Sequence, residues 1–205
     1  MLTSALTLAA GEGPPGVMLG TIGGDVLTYD PAVDDNLIIT TEGVSDFGEQ
    51  VADELERQGH LVTRIGPIHT LGGEPGCWEA AYMDVLEDVV ARARCGGGRQ
   101  VLFIDSHDDF RLHTPVHPSK EHTRLGRGRR YLQWLASSGP SHGAVLVVHE
   151  HALPPTWLVG CEPVLGLGLY QQGETMIARQ VRRVASGIQR GDRLGEVQPP
   201  CFDLC

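Results

Sequence analysis

Basic charge is scarce in this chain: 16 Lys and Arg stand against 26 Asp and Glu, a formal net charge of −10 over 205 residues. Binding to a phosphate backbone needs a basic face, so this balance argues against a nucleic-acid partner. The five cysteines (Cys77, Cys95, Cys161, Cys201, Cys205) form no Cys-x-x-Cys pair, which argues against a disulfide framework or a structural zinc site. No apolar run reaches the length needed to cross a bilayer. The short apolar stretch near the N-terminus has no basic residue ahead of it, unlike a secretory signal, so a cytoplasmic location is expected. Neither a Gly-x-Ser-x-Gly elbow nor a Walker loop is present.

What the chain does have is alternation of short apolar runs with amphipathic stretches. Residues 1–35 are rich in Gly and Pro and are expected to be an extension, with a small hairpin where 17–19 and 26–28 flank Gly23-Gly24. Residues 37–40, 61–65, 101–104, 144–148 and 157–160 predict strands. Ser45 or Asp46 is placed to cap a helix carrying Phe47, Val51 and Leu55 on one face, with Gly59 as its stop. Further helices are predicted over 78–94 and 123–137. Ile177, Val181, Val184 and Ile188 step by helical intervals and predict a last helix, ended by Gly191. This order implies an α/β fold, a three-layer αβα sandwich with a mostly parallel central sheet of the phosphorylase/hydrolase-like kind, spanning 36–191, with a tail over 192–205. Ligands of such sheets bind beyond the carboxyl ends of the strands. That directs attention to 41–45, 66–71, 105–122 and 149–151.

Two constellations there could carry chemistry. Asp105, His107 and Asp109 fall on one side of an extended chain and could ligate a divalent ion. The pattern resembles the manganese motif of the arginase and ureohydrolase family, although that family's second acidic cluster is missing. Asp105 with His122 is the other pair, a carboxylate and an imidazole suited to nickel or zinc. Weaker features are His149-Glu150-His151 after a strand, His113 with His117, His69, and the basic cluster Arg124, Arg127, Arg129 and Arg130.

The order of motifs also resembles the maturation endopeptidases of nickel–iron hydrogenases. The resemblance rests on Ser45-Asp46-Phe47-Gly48 leading into a helix, Phe103-Ile104-Asp105-Ser106, and Glu121-His122-Thr123-Arg124-Leu125-Gly126. It continues through Leu158-Val159-Gly160-Cys161-Glu162-Pro163 and the amphipathic segment from Met176 to Val184. It implies a hydrolase that removes a C-terminal peptide from a nickel-loaded hydrogenase large-subunit precursor. Asp46, Asp105 and His122 would complete the shell of a nickel ion carried by that substrate, with Asp105 and Asp46 positioned for catalysis. The alternatives are an arginase-like amidino or amide hydrolase using Asp105, His107 and Asp109, and a non-catalytic hydrogenase-assembly protein.

Overall fold

Most of the predicted β-branched runs and amphipathic stretches appear as strands and helices in the computed structural model, which describes residues 16–41, 46–66, 77–105, 124–150, 166–172, 175–184 and 187–198. The first elements are strands β1 (Val17–Ile22) and β2 (Asp25–Tyr29), an antiparallel hairpin. Gly23 and Gly24 turn it at φ of 60° and 97°, values that favour glycine. Strand β3 (Asn36–Thr40) then leads to helix α1 (Phe47–Arg57), strand β4 (Leu61–Ile65), helix α2 (Cys77–Arg94) and strand β5 (Gln100–Asp105). Helix α3 (Arg124–Ser138), strand β6 (Ala144–Glu150) and strands β7 (Gly166–Gln172), β8 (Thr175–Val184) and β9 (Gly187–Val197) complete the order.

The larger sheet has seven strands in the order β4-β5-β6-β3-β7-β8-β9. From β4 through β7 every neighbouring pair is parallel, and β7–β8 and β8–β9 are antiparallel. Period-two alternation divides the strand side chains between two faces. Ile38, Leu102, Ile104, Leu146 and Val148 pack with Leu86, Val89, Leu132 and Leu135 of α2 and α3. Leu37, Ile39, Val101, Phe103, Val145 and Val147 pack with Val51 and Leu55 of α1 and with Val17, Leu19, Leu27 and Tyr29 of the hairpin. This is a three-layer αβα arrangement around a mostly parallel sheet, as the sequence implied. Asn36 ties the layers: its Nδ2 donates to the Ala136 carbonyl at 2.8 Å, and its Oδ1 accepts from the Leu146 amide at 2.9 Å.

Helix α1 positions the site described below. Phe47, Val51, Ala52 and Leu55 are buried along one side. The helix ends where Gly59 takes a φ of 89°, with its amide bonded to the Glu56 carbonyl and the His60 amide to that of Leu55. A buried Leu or Val side chain is worth about 1.5–3 kcal/mol, so this apolar side, more than any surface charge, docks the helix.

The C-terminal part corrects the sequence expectation. In place of a last helix, the stretch from Met176 onward forms β8 and β9, with Ile177 opposite Tyr170 on one side and Glu196 on the other. Ile and Val at intervals of four and three satisfy a helix pattern, but β-branched residues with partners on both sides also satisfy a sheet. The register is irregular between Ala178 and Val181, which interrupts simple alternation. The predicted strand at 157–160 lies outside the described residues. Among the described residues, no helix is long and apolar enough to cross a membrane.

Candidate functional site at the carboxyl edge of the sheet

Parallel register brings the carboxyl ends of β5, β6 and β3 side by side, with Asp105 opposite His149 and His149 opposite Ile39. His149 is only 1% exposed. Its Nδ1 lies 2.8 Å from Asp105 Oδ1, and its Nε2 lies 3.0 Å from Thr41 Oγ1. An ionised carboxylate can only accept, so the proton belongs on Nδ1, which donates to Asp105. In the neutral ring Nε2 then accepts from the Thr41 hydroxyl. The ends of β5 and β6 and the residue that follows β3 are thereby linked by one polar chain.

The entry to α1 closes on this chain from the side. A Cβ at Gly48 would stand 2.5 Å from His149 Cγ, so only glycine lets the helix start approach the ring this closely. The next residue, Glu49, turns to β4, where its Oε2 accepts from Arg64 Nη1 at 2.6 Å. Arg64 also donates to Asp53 at 2.6 Å and to Glu56 at 3.1 Å. Positions 49, 53 and 56 share one side of the helix, so a single guanidinium spans it. Burial raises the Glu49 carboxyl above its ordinary value, Arg64 offsets this in part, and the charges of Asp105 and Asp53 push it further up. The effect of the Asp105 charge on Glu49 brings a second carboxylate near the end of β5.

Of the residues chosen from sequence, Asp105 ends β5 and Asp46 occupies the N-cap of α1 without a side-chain capping bond. His122, His107 and Asp109 lie outside the described residues, as does His151. Among the described residues, no group of three or more His, Cys, Asp or Glu side chains is arranged to hold a metal ion. Thr41 and Gly48 were not recognised as site residues in their own right, and His149 was considered only beside Glu150 and His151. Their signal was positional, since Thr41 and His149 both fall in the strand-end segments that the parallel-sheet rule selects.

Solved structures supply the comparison for this fold. One is the pCW3 conjugation coupling protein TcpA, a monomer form with ATPγS, at a TM-score of 0.64 and 13% identity over 99% of this chain and 71% of that one. Another is Thermomonospora curvata EccC (ATPases 2 and 3) in complex with a signal sequence peptide, at 0.54 and 12% identity, covering 97% of this chain and 43% of that one. No protein-family model and no curated protein matches the chain. These likenesses overturn the resemblance to hydrogenase maturation endopeptidases, and with it the assignments as protease, arginase-like hydrolase or hydrogenase-assembly protein. The physical reason is that the motifs behind the resemblance describe any strand ending in Asp and any glycine-containing helix entry. The terminal helix, one of its best-matched features, is a pair of strands.

The sequence between β3 and α1 can be set beside a phosphate-binding motif. A P-loop is a strand, then Gly-x-x-x-x-Gly-Lys-Ser/Thr, then a helix. Between β3 and the first turn of α1 this chain has Gly43-Val44-Ser45-Asp46-Phe47-Gly48-Glu49-Gln50. The two glycines keep the P-loop spacing, while Glu49 and Gln50 take the places of the lysine and the hydroxyl residue. Lys120 is the only lysine in the sequence. A search for the complete motif passes over this segment, because it fails at the two residues that touch phosphate and magnesium.

Proposed function

We propose that this chain is a non-hydrolysing P-loop-fold module, which acts through contacts with other proteins and not through turnover of a nucleotide. The observation that carries this reading is Glu49 in the place of the P-loop lysine. That lysine reaches the β- and γ-phosphates, and the following hydroxyl holds magnesium. At about 4 Å and an effective dielectric near 20, two unit charges interact by about 4 kcal/mol. Exchanging lysine for glutamate thus turns an attraction of that order into a repulsion. Gln50 offers an amide in place of the hydroxyl, and Asp105, an acidic strand end of the kind that helps hold magnesium in such sites, is already bonded to His149.

The fold neighbours include a conjugation coupling protein and ATPases bound to a signal sequence peptide. A net charge of −10 favours protein over nucleic acid as the partner of this module. The experiment is a pair of assays on purified protein: phosphate release from magnesium-ATP, and titration with a fluorescent ATP analogue. Release no faster than in buffer and no saturation are the expected results. Magnesium-dependent turnover, or saturable binding at micromolar analogue, would overturn the proposal.

A further inference from the structure

We infer that the chain associates head to tail with a second copy of itself, the arginine face of α3 on one molecule meeting the acidic outer layer around α1 on the next. This goes beyond the non-hydrolysing reading and does not depend on it. The αβα layering carries the inference, because it puts charge of opposite sign on opposite sides of one sheet. The hairpin and α1 pack on the strand face of Leu37, Phe103 and Val147, whereas α2 and α3 pack on that of Ile38, Leu102 and Leu146. Residues 16–35 and 46–57, which build the first layer and lead from it, hold nine Asp and Glu against the single Arg57. Helix α3 has four arginines and no acidic residue. Helix α2 over 82–94 is close to neutral, with Asp84, Glu87 and Asp88 against Arg92 and Arg94.

Both surfaces reach solvent. On the acidic side Asp53 and Glu56 are exposed, and one guanidinium, that of Arg64, is shared between them and Glu49. On the basic side Arg127 is exposed with Glu87 no closer than 3.8 Å, and Arg130 is exposed about a turn further on. Tyr131 and Trp134, both half-buried, continue α3, and Arg94 of α2 lies over the Trp134 ring, 4.8 Å from its centre. Aromatic and arginine side chains grouped in this way anchor protein interfaces. A twofold contact between unlike patches needs both on one side of the molecule, and these lie on opposite sides. The contact is therefore heterologous, each copy turning its α3 side to one neighbour and its α1 side to the other. The net charge of −10 does not prevent this. Near 0.1 M salt the screening length is about 10 Å, so the facing layers outweigh the distant ones.

The test is sedimentation velocity across the micromolar range on wild type, R127E/R130E and D53K/E56K, with circular dichroism and thermal melts establishing that each is folded. Wild type should rise above its monomer mass of 22.1 kDa in about 0.1 M salt and return to it in about 0.5 M. Each variant alone, left with two acidic or two basic faces, should associate about tenfold or more weakly. An equimolar mixture of the two variants should regain association, because the intact acidic layer of one meets the intact arginine face of the other. Wild type that stays monomeric throughout, or an assembly that persists unchanged in high salt, overturns the inference. So do folded variants that associate as wild type does, or a mixture no larger than its parts. Should one variant fail to fold, the other decides: added to wild type it must lower the mass by ending the chains, and no change overturns the inference. None of these outcomes touches the non-hydrolysing reading, which magnesium-ATP turnover alone decides.

Discussion

The strand half and the helix half of the candidate site solve the problem of charge in different ways. On the strand side, Asp105, His149 and Thr41 form a polar chain around an imidazole that is 1% exposed. On the helix side, Glu49 and Arg64 meet where their side chains remain 42% and 30% exposed. The first half is dry, so every polar atom there needs a partner, and losing one is costly. The second is wet, where water can replace a lost partner and ion pairs are worth little. The contrast separates the roles of the two halves: the strand chain holds the edge together, and the helix pair sets its charge. A residue of the second kind can change sign while the fold persists.

Breaking this contrast needs variants on both sides. The largest effect is expected for His149→Ala, which leaves a cavity beneath Gly48 and strips Asp105 and Thr41 of their shared partner. Urea unfolding should show a loss of about 3 kcal/mol. A loss below about 1 kcal/mol would mean that the strand chain is no firmer than a surface contact. Arg64→Met should cost much less, about 0.5–1 kcal/mol in the same assay after allowance for solvent screening, and less again in high salt. A salt-independent loss as large as that of His149→Ala would erase the distinction between the halves.

The smallest effect is the one that pH reveals. The folded-state pKa of Glu49 is raised by burial, by Asp105 and by Asp53, against the pull of Arg64. Its neutral form is therefore favoured by folding. That contribution is fully present below the ordinary glutamate range and is lost as pH rises through the raised value. Comparing urea midpoints across this window, Glu49→Gln should give a shallower decline with rising pH than wild type. An unchanged slope would show that Glu49 is not the titrating group, and that Asp34 and Asp35, also raised chiefly by burial, account for it.

Much of the parallel part of the sheet was legible before any coordinates. Strands β3, β4, β5 and β6 are short β-branched or apolar runs bounded by polar or glycine residues. Each sits between amphipathic stretches, and tertiary context has no reason to override such local agreement. Helix α1 was equally clear from Phe47, Val51, Leu55 and Gly59. The antiparallel part was misjudged, because the apolar spacing of Ile177, Val181 and Val184 fits two periods, and only pairing with β7 and β9 selects one. The site was legible in location and not in composition. Asp105 and His149 both fall in the strand-end segments that the parallel-sheet rule selects, but the residues that meet there are more than forty positions apart in sequence.

The sequence by itself determined the local elements, their buried faces and the αβα layering, because periodicity and turn residues act over a few neighbouring positions. Only the tertiary structure decided that the last apolar stretch pairs as strands, that His149 lies between Asp105 and Thr41, and that Glu49 meets Arg64 of β4. These follow from strand register and helix docking, which are set by contacts between distant segments and leave no pattern in any single window of the chain.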